Sequence, residues 1–382
     1  MNKLKIIIIS TSPLVVNSFM NGQIVRFAEK NHVTVVTNTE GLPKLDFSSS
    51  KVEVKNINIS RKISILRDIS SFIRILLILA EGDFDLVYTI TPKAGLLGMV
   101  GGLVMRVKCR IHIFTGQVWA TKTGINRKFL KLMDMLIAKS STHLLTDSVG
   151  QMNNLINEKI TSISKIKVLA NGSVNGVDFS RFRKDVVVRE KYRVKYNVAS
   201  DDVVFLYLGR LNKEKGLVEL VEAFVMLLEK FKNVKLIIVG PDEQNMSQSI
   251  SANLVAYKDH YEVESFTDHP GNFMNMADVI CVPSYREGFG SVVIEAAGVG
   301  VPAIGSKIYG LEDAIQGNVT GLLFPAKDSK SLCEAMQKMV SKPDLRKKLG
   351  ISAQERAESL FSQGLVTSAY VSYCEQTAQS YI

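Results

Sequence analysis

The sequence predicts an α/β protein made of two doubly wound parallel sheets, and three observations carry that reading. The chain has 382 residues, too many for one ordinary core. Short apolar runs rich in β-branched residues alternate throughout with longer stretches of helical periodicity, the signature of parallel strands covered by helices. The alternation restarts after a turn-rich segment, NGSVNGVD at residues 171–178.

Taken in order, the apolar runs predict strands at 5–9, 32–37, 52–56, 86–89, 110–114, 143–146 and 167–169. The opening MNKLKIIIISTSP is too short and too β-branched for a signal sequence, and it reads as the first buried strand. Helices are expected between the strands, including basic amphipathic segments at 61–80, with Leu66, Ile69, Ile73, Leu76 and Leu77 at helical spacing, and at 127–139. The second half predicts strands at 203–207, 235–239, 261–264, 279–282, 303–305 and 322–324. Expected boundaries are a first domain at 1–178, a second at 179–360 and a C-terminal helix at 361–382, with the linker near 178–183. Paired sheets of this kind leave a cleft at the carboxyl ends of their strands, where ligands bind.

Composition narrows the function. With 46% hydrophobic and 22% charged residues the chain is globular. Cys109, Cys281, Cys333 and Cys374 form no metal-ligand spacing, so free thiols in a reducing cytoplasm are expected. No run approaches the roughly 20 apolar residues of a spanning helix. The net charge of +10 lies wholly in the first half: residues 1–180 carry 23 Lys+Arg against 12 Asp+Glu, and the rest 24 against 25. The two basic segments are read first as ordinary helices packed on a sheet. A sharper reading adds docking on anionic lipid, each basic group near the surface contributing on the order of 1 kcal/mol. No aromatic-plus-basic motif accompanies the charge, so nucleic acid is not expected as a partner.

Two segments carry chemistry. FLYLGRLNKEKG at 205–216 is a strand ending in Gly209 and a basic loop. Arg210 can fork onto two phosphate oxygens, and Lys215 adds a compact point charge. PSYREGFGSVVIEAA at 283–297 places Glu287 and Glu295 eight positions apart around an expected helix start near Gly290. Gly288 and Gly290 permit close backbone approach, and free N–H groups at the helix start suit a phosphate. DFD at 83–85 invites a metal reading, but it immediately precedes a strand and reads as the polar edge where a helix ends.

Together these segments resemble glycosyltransferase family 4, whose pattern is a Glu, seven residues and a Glu, preceded by a strand ending in Gly-Arg-Leu with a Lys nearby. The similarity extends through NMADVICVPSYREGFGSVVIE at 275–295, GVPAIG at 300–305, NVTGLLFP at 318–325 and the hinge VNGVD at 174–178. It implies a retaining enzyme of the two-domain GT-B fold, with the C-terminal helix packed back on the first domain. Arg210 and Lys215 would hold the donor diphosphate, Glu287 the hydroxyls of the transferred sugar and Glu295 the ribose. Gly209, Gly288, Phe289, Gly290, Ser291 and Val292 would complete the donor site. The acceptor hydroxyl would enter on the face of the departing phosphate, which takes its proton, so the chemistry would need no metal or other cofactor beyond the nucleotide-sugar co-substrate.

The first half departs from that pattern. Many relatives place His-Gly after the strand that ends here in IHIFTGQVW at 111–119, whereas this chain has Thr115 and Gly116. His112 belongs to the strand by alternation and is expected to be packed. The TGQVW spelling is similar to a subgroup that builds bacterial surface polysaccharides, so Thr115, Gly116 and Gln117 are expected to touch donor sugar or acceptor. The usual glycine-rich loop after the first strand is reduced to FMNGQ at 19–23, where Gly22 is expected to allow close approach to the ligand. The resemblance implies a UDP-sugar donor, a polyprenyl-diphosphate-linked glycan acceptor and a place on the anionic inner face of the plasma membrane. A nucleotide-sugar epimerase and a non-catalytic nucleotide-sugar binder remain as alternatives. A nicotinamide oxidoreductase would need G-x-G-x-x-G after the first strand, where STSP stands at 10–13.

Overall fold

The computed structural model describes residues 3–40, 44–45, 47, 51–59 and 64–382. The chain divides into one unit of residues 1–176 with 363–382, and a second of residues 177–362. In the first, seven strands, β1 (Lys5–Ile9), β2 (His32–Thr37), β3 (Val52–Asn56), β4 (Leu86–Ile90), β5 (Cys109–Phe114), β6 (His143–Thr146) and β7 (Ile166–Val168), form a sheet ordered β3-β2-β1-β4-β5-β6-β7. In the second, β8 (Val203–Leu208), β9 (Val234–Val239), β10 (Tyr261–Glu264), β11 (Val279–Val282), β12 (Ala303–Ser306) and β13 (Gly321–Phe324) are ordered β10-β9-β8-β11-β12-β13. Both orders reverse direction beside their first strand, the doubly wound plan of the GT-B fold. Every pairing is parallel, as between β8 and β11 with Phe205 opposite Val279. Central strands covered on both faces must be apolar throughout, which explains KIIII in β1 and VKLIIV in β9.

The helix Gln363–Gln379 belongs to the first unit, where Val366, Tyr370 and Cys374 are buried with Ile24 and Phe27 of the helix Asn21–Ala28. Tyr370 Oη donates to the Ser173 carbonyl at 3.1 Å, and Gln23 Nε2 donates to that of Val174 at 2.8 Å. All four cysteines are buried free thiols.

Two expectations need correction. Residues 19–23 are not a loop: a π-helical turn at Val16–Met20 runs into the helix Asn21–Ala28. Ser12 caps the preceding turn, Pro13 opens it, and Val16, Met20, Ile24 and Phe27 recur at helical intervals against the sheet. The stripe in the segment 61–80, of which residues 61–63 lie outside the described residues, does not pack on the sheet. In the helix Ile65–Gly82, Ser71, Ile75 and Leu79 are buried, while Leu66 is 83% exposed and Ile69, Ile73 and Leu77 also face out. The helix Gly124–Ser140 likewise exposes Ile125 at 84%, with Phe129 and Leu132. Both helices pack against the helix Pro92–Val104. Among the described residues no helix is long and apolar enough to cross a membrane.

Candidate active site

In the second unit the segments 205–216 and 283–295 leave the carboxyl ends of adjacent strands, β8 and β11, where the strand order reverses. This is where an open α/β sheet offers its crevice. Lys215 Nζ donates to Glu287 Oε1 at 2.6 Å, and Ser284 Oγ donates to the same oxygen at 2.6 Å. Burial raises the Glu287 carboxyl, but the charge and hydrogen bond of Lys215, the bond from Ser284 and the charge of Arg286 outweigh it and hold the group below its ordinary value. The loops are tied further by Tyr285 N–H donating to the Glu214 carbonyl at 2.9 Å and by Arg286 pairing with Glu214 at 3.1 Å. Gly216 stands at φ +71, and a side chain there would collide with the Pro283 carbonyl, so the close approach requires glycine.

Arg210 pairs with Glu243, its Nη1 lying 3.0 and 2.9 Å from the two carboxylate oxygens, and Asn212 donates to one of them at 3.0 Å. The pair is partly exposed, at 40% and 35%, and such pairs contribute little. The guanidinium can therefore exchange this carboxylate for a phosphate. Gly209 N–H donates to the Val239 carbonyl at 3.0 Å, and Tyr207 Oη donates to the Arg210 carbonyl at 2.8 Å, holding the turn.

Gly290, at φ +83, starts the helix Ser291–Gly298, and a Cβ on it would lie 2.5 Å from Leu311 Cδ2. Phe289 is buried with its ring 5.3 Å from that of Phe361, so only its backbone is left to meet a ligand. Val292 packs on the core, and Gly288 lies in the loop before the helix. The Glu295 carboxyl, on the helix Ser291–Gly298, has no hydrogen-bond partner among the described residues. Burial pushes its carboxyl up to about 7 against the attraction of Arg181. A carboxylate so placed is well suited to accept hydroxyl groups.

The first unit offers a different edge. Thr115 is half-buried, and Gly116 turns the chain at φ +100. Gln117 is 1% exposed. With the Gln151 amide nitrogen donating to the Phe114 carbonyl at 3.0 Å, its oxygen accepts from Gln117 Nε2 at 3.0 Å and from the Gly116 N–H. The Gln117 side chain is thus spent inside the unit. Gly22 sits in the helix Asn21–Ala28, where a Cβ would lie 3.1 Å from Thr367 Oγ1, so it admits the C-terminal helix. His112 is buried, its Nδ1 2.7 Å from Thr89 Oγ1, and burial pushes it down to about 3. Asp85 accepts from the Lys5 N–H at 2.8 Å, and Asp83 ends its helix in a left-handed conformation.

Sequence reasoning missed Ser284, Glu243, Asn212 and Arg181. Ser284 lies inside the quoted motif beside Glu287. Glu243 follows β9, and its place beside Arg210 comes only from the β8–β9 pairing.

A basic loop and two carboxylates at the reversal point of a GT-B sheet fit a glycosyltransferase, and the similarity of the chain to known proteins shows that class. Residues 188–356 match the family model described as glycosyl transferases group 1. The second unit is a domain of that family, and the resemblance to glycosyltransferase family 4 stands. Among similar proteins is the capsular polysaccharide biosynthesis glycosyltransferase CapM of Staphylococcus aureus, 29% identical over 91% of this chain and 90% of that one. Another is the Escherichia coli UDP-Gal:α-D-GlcNAc-diphosphoundecaprenol α-1,3-galactosyltransferase, 25% identical over 78% and 77%. Among solved structures, sucrose-phosphate synthase of Thermosynechococcus elongatus superposes with a TM-score of 0.82 at 20% identity, covering 99% of this chain and all of that one. HepE of Anabaena, in complex with UDP and glucose, gives 0.79 at 17% identity, with 98% of this chain and all of that one covered.

Proposed function

We propose that this glycosyltransferase moves a hexose or N-acetylhexosamine from a UDP-sugar, with retention, onto a lipid-linked oligosaccharide in the assembly of a capsule or O-antigen. The observation that carries the reading is the Lys215–Glu287 pair at 2.6 Å between the two loops of the second unit. In this reading Lys215 and Arg210 bind the donor diphosphate and stabilise the charge on the departing nucleotide. Glu287 accepts hydroxyls of the transferred sugar, and Glu295 accepts those of the ribose. The backbone of residues 288–291 lines sugar and phosphate, and Thr115 and Gly116 meet the sugar or the acceptor. The acceptor hydroxyl attacks the anomeric carbon on the face the phosphate leaves, and the phosphate oxygen takes its proton. Positioning and charge stabilisation carry the rate. The names of the capsular and undecaprenol-linked relatives support the lipid-linked acceptor, and the UDP-bound neighbour supports the donor.

Ligand-observed NMR against UDP-, GDP- and dTDP-sugars in EDTA tests the reading. One donor should bind wild type and be lost in Arg210→Ala/Lys215→Ala; binding by neither protein overturns it. Product formed without acceptor would favour an epimerase instead.

The exposed apolar faces of the helices Ile65–Gly82 and Gly124–Ser140, each carrying basic residues, support a place on an anionic membrane. Reversing Arg127, Lys128 and Lys131 should release the protein from anionic vesicles. Arg127 and Lys131 each pair with Glu158 at 2.7 Å, so Lys128→Glu, together with Phe129→Asp, is the cleaner test. Unchanged vesicle binding would sink the membrane reading.

A further inference from the structure

Trp119 and Asp134 form a buried contact in the first unit. Trp119 lies in the turn Val118–Thr121, directly after Thr115–Gln117, and is 2% exposed. Its Nε1–H donates to Asp134 Oδ2 at 2.7 Å. Asp134 is 5% exposed, on the inner side of the helix Gly124–Ser140 whose outer side presents Ile125, Phe129 and Leu132. The indole is also covered from that helix, with the Arg127 guanidinium 5.3 Å and Lys131 Nζ 5.9 Å from the ring centre. Both cations are fixed by Glu158. A carboxylate is a costly way to hold an indole: burial pushes Asp134 up to about 7 even though the Trp119 bond lowers it. On the other side of the same turn, Gln117 is anchored to Gln151. The turn is therefore pinned twice, at Gly116 and Gln117 to the body of the unit and at Trp119 to the basic, apolar-faced helix.

We propose that Asp134 is a positioning residue which, through the Trp119 indole, holds Thr115 and Gly116 in the conformation that receives the diphosphate-linked acceptor, and so couples that loop to the helix Gly124–Ser140. The proposal rests on the reading that Thr115 and Gly116 face the sugar or acceptor. Loss of the anchor leaves the turn held only by Gln151 at Gly116 and Gln117 and frees its Trp119 end, with the diphosphate-binding side chains of the second unit unchanged, so acceptor recognition alone should weaken.

The test uses the fact that Trp119 is the chain's one tryptophan. Its emission in the full-length protein is titrated with decyl-diphospho-N-acetylglucosamine, while UDP binding is followed by ligand-observed NMR. In wild type the acceptor probe should shift the emission saturably. Asp134→Leu should weaken probe binding by about tenfold, the scale of one lost hydrogen bond, with UDP binding unchanged. Asp134→Asn retains an oxygen for the indole and should stay close to wild type. Trp119→Phe, read by NMR for both ligands, should behave like Asp134→Leu. Tight probe binding by Asp134→Leu, or equal loss of probe and UDP binding in both disruptive variants, overturns the proposal. Failure of wild type to bind UDP would instead count against the proposed function.

Discussion

The two sheets share one winding plan but finish their carboxyl edges differently. In the second unit the edge after β8, β9 and β11 is charged, with Arg210 on Glu243 and Lys215 on Glu287. In the first unit the edge after β5 and β6 is built around buried amides, Gln117 on Gln151 behind a glycine turn, with the buried Asp147 carboxyl accepting from Gln151. The half-exposed Arg210–Glu243 pair can be exchanged for a charged ligand, whereas the Lys215–Glu287 pair is mostly buried and ties the two loops together. Neutral amides bonded to one another in the interior fix the shape of a loop and are not released. The same architecture thus yields a charged edge in one unit and a rigid rim in the other.

The largest effect of substitution should come from the charged edge. Glu287→Gln or Lys215→Ala should lower transfer about 10²–10³-fold, the usual scale for removing a group that stabilises transition-state charge. A loss below tenfold in steady-state assays would remove the edge from the chemistry. The first unit's edge should answer in stability: Gln117→Leu removes one of the two hydrogen bonds on the Gln151 oxygen and should cost about 0.5–1.5 kcal/mol in denaturant unfolding, with UDP binding unchanged.

Glu295 sharpens the contrast through pH. Its folded carboxyl titrates at about 7, above its ordinary 4.5, so the folded protein holds a proton that the unfolded chain has released. Its contribution to stability is fully present below about 4.5 and is lost as pH rises through 7. Glu295→Gln should therefore flatten the fall in thermal midpoint between pH 5 and 8. If the carboxylate accepts ribose hydroxyls, donor affinity should rise across that interval in wild type and stay level in the variant. His112, held at about 3, adds no response of its own there. The smallest effect belongs to Glu243→Gln, which should change stability by less than about 1 kcal/mol because its pair with Arg210 is half-exposed.

Much of this was legible in the sequence because parallel strands buried on both faces announce themselves as apolar runs, and the strands of the second unit fall where KLIIV and VICV stand. The Lys215–Glu287 meeting was legible only as two loops at strand ends; their distance follows from β8 lying beside β11, a pairing that no local pattern encodes. The segment after β1 is helical where a loop is expected, because its helix packs on a partner that no local pattern shows: Gly22 makes room for Thr367, 345 residues away in the chain. The stripe Leu66, Ile69, Ile73 and Leu77 showed helical periodicity faithfully, but periodicity does not say whether an apolar face turns inward or outward.

The four buried thiols give the protein an internal clock for each half. Cys109 and Cys374 lie in the first unit, Cys281 and Cys333 in the second. Burial pushes Cys109 up to about 12 and Cys281 higher still, so neither forms thiolate at neutral pH while its strand is closed. Alkylation pulses read by peptide mass would then time the opening of each sheet separately, with no label added, and would tell whether a substitution at one edge loosens its own unit or both.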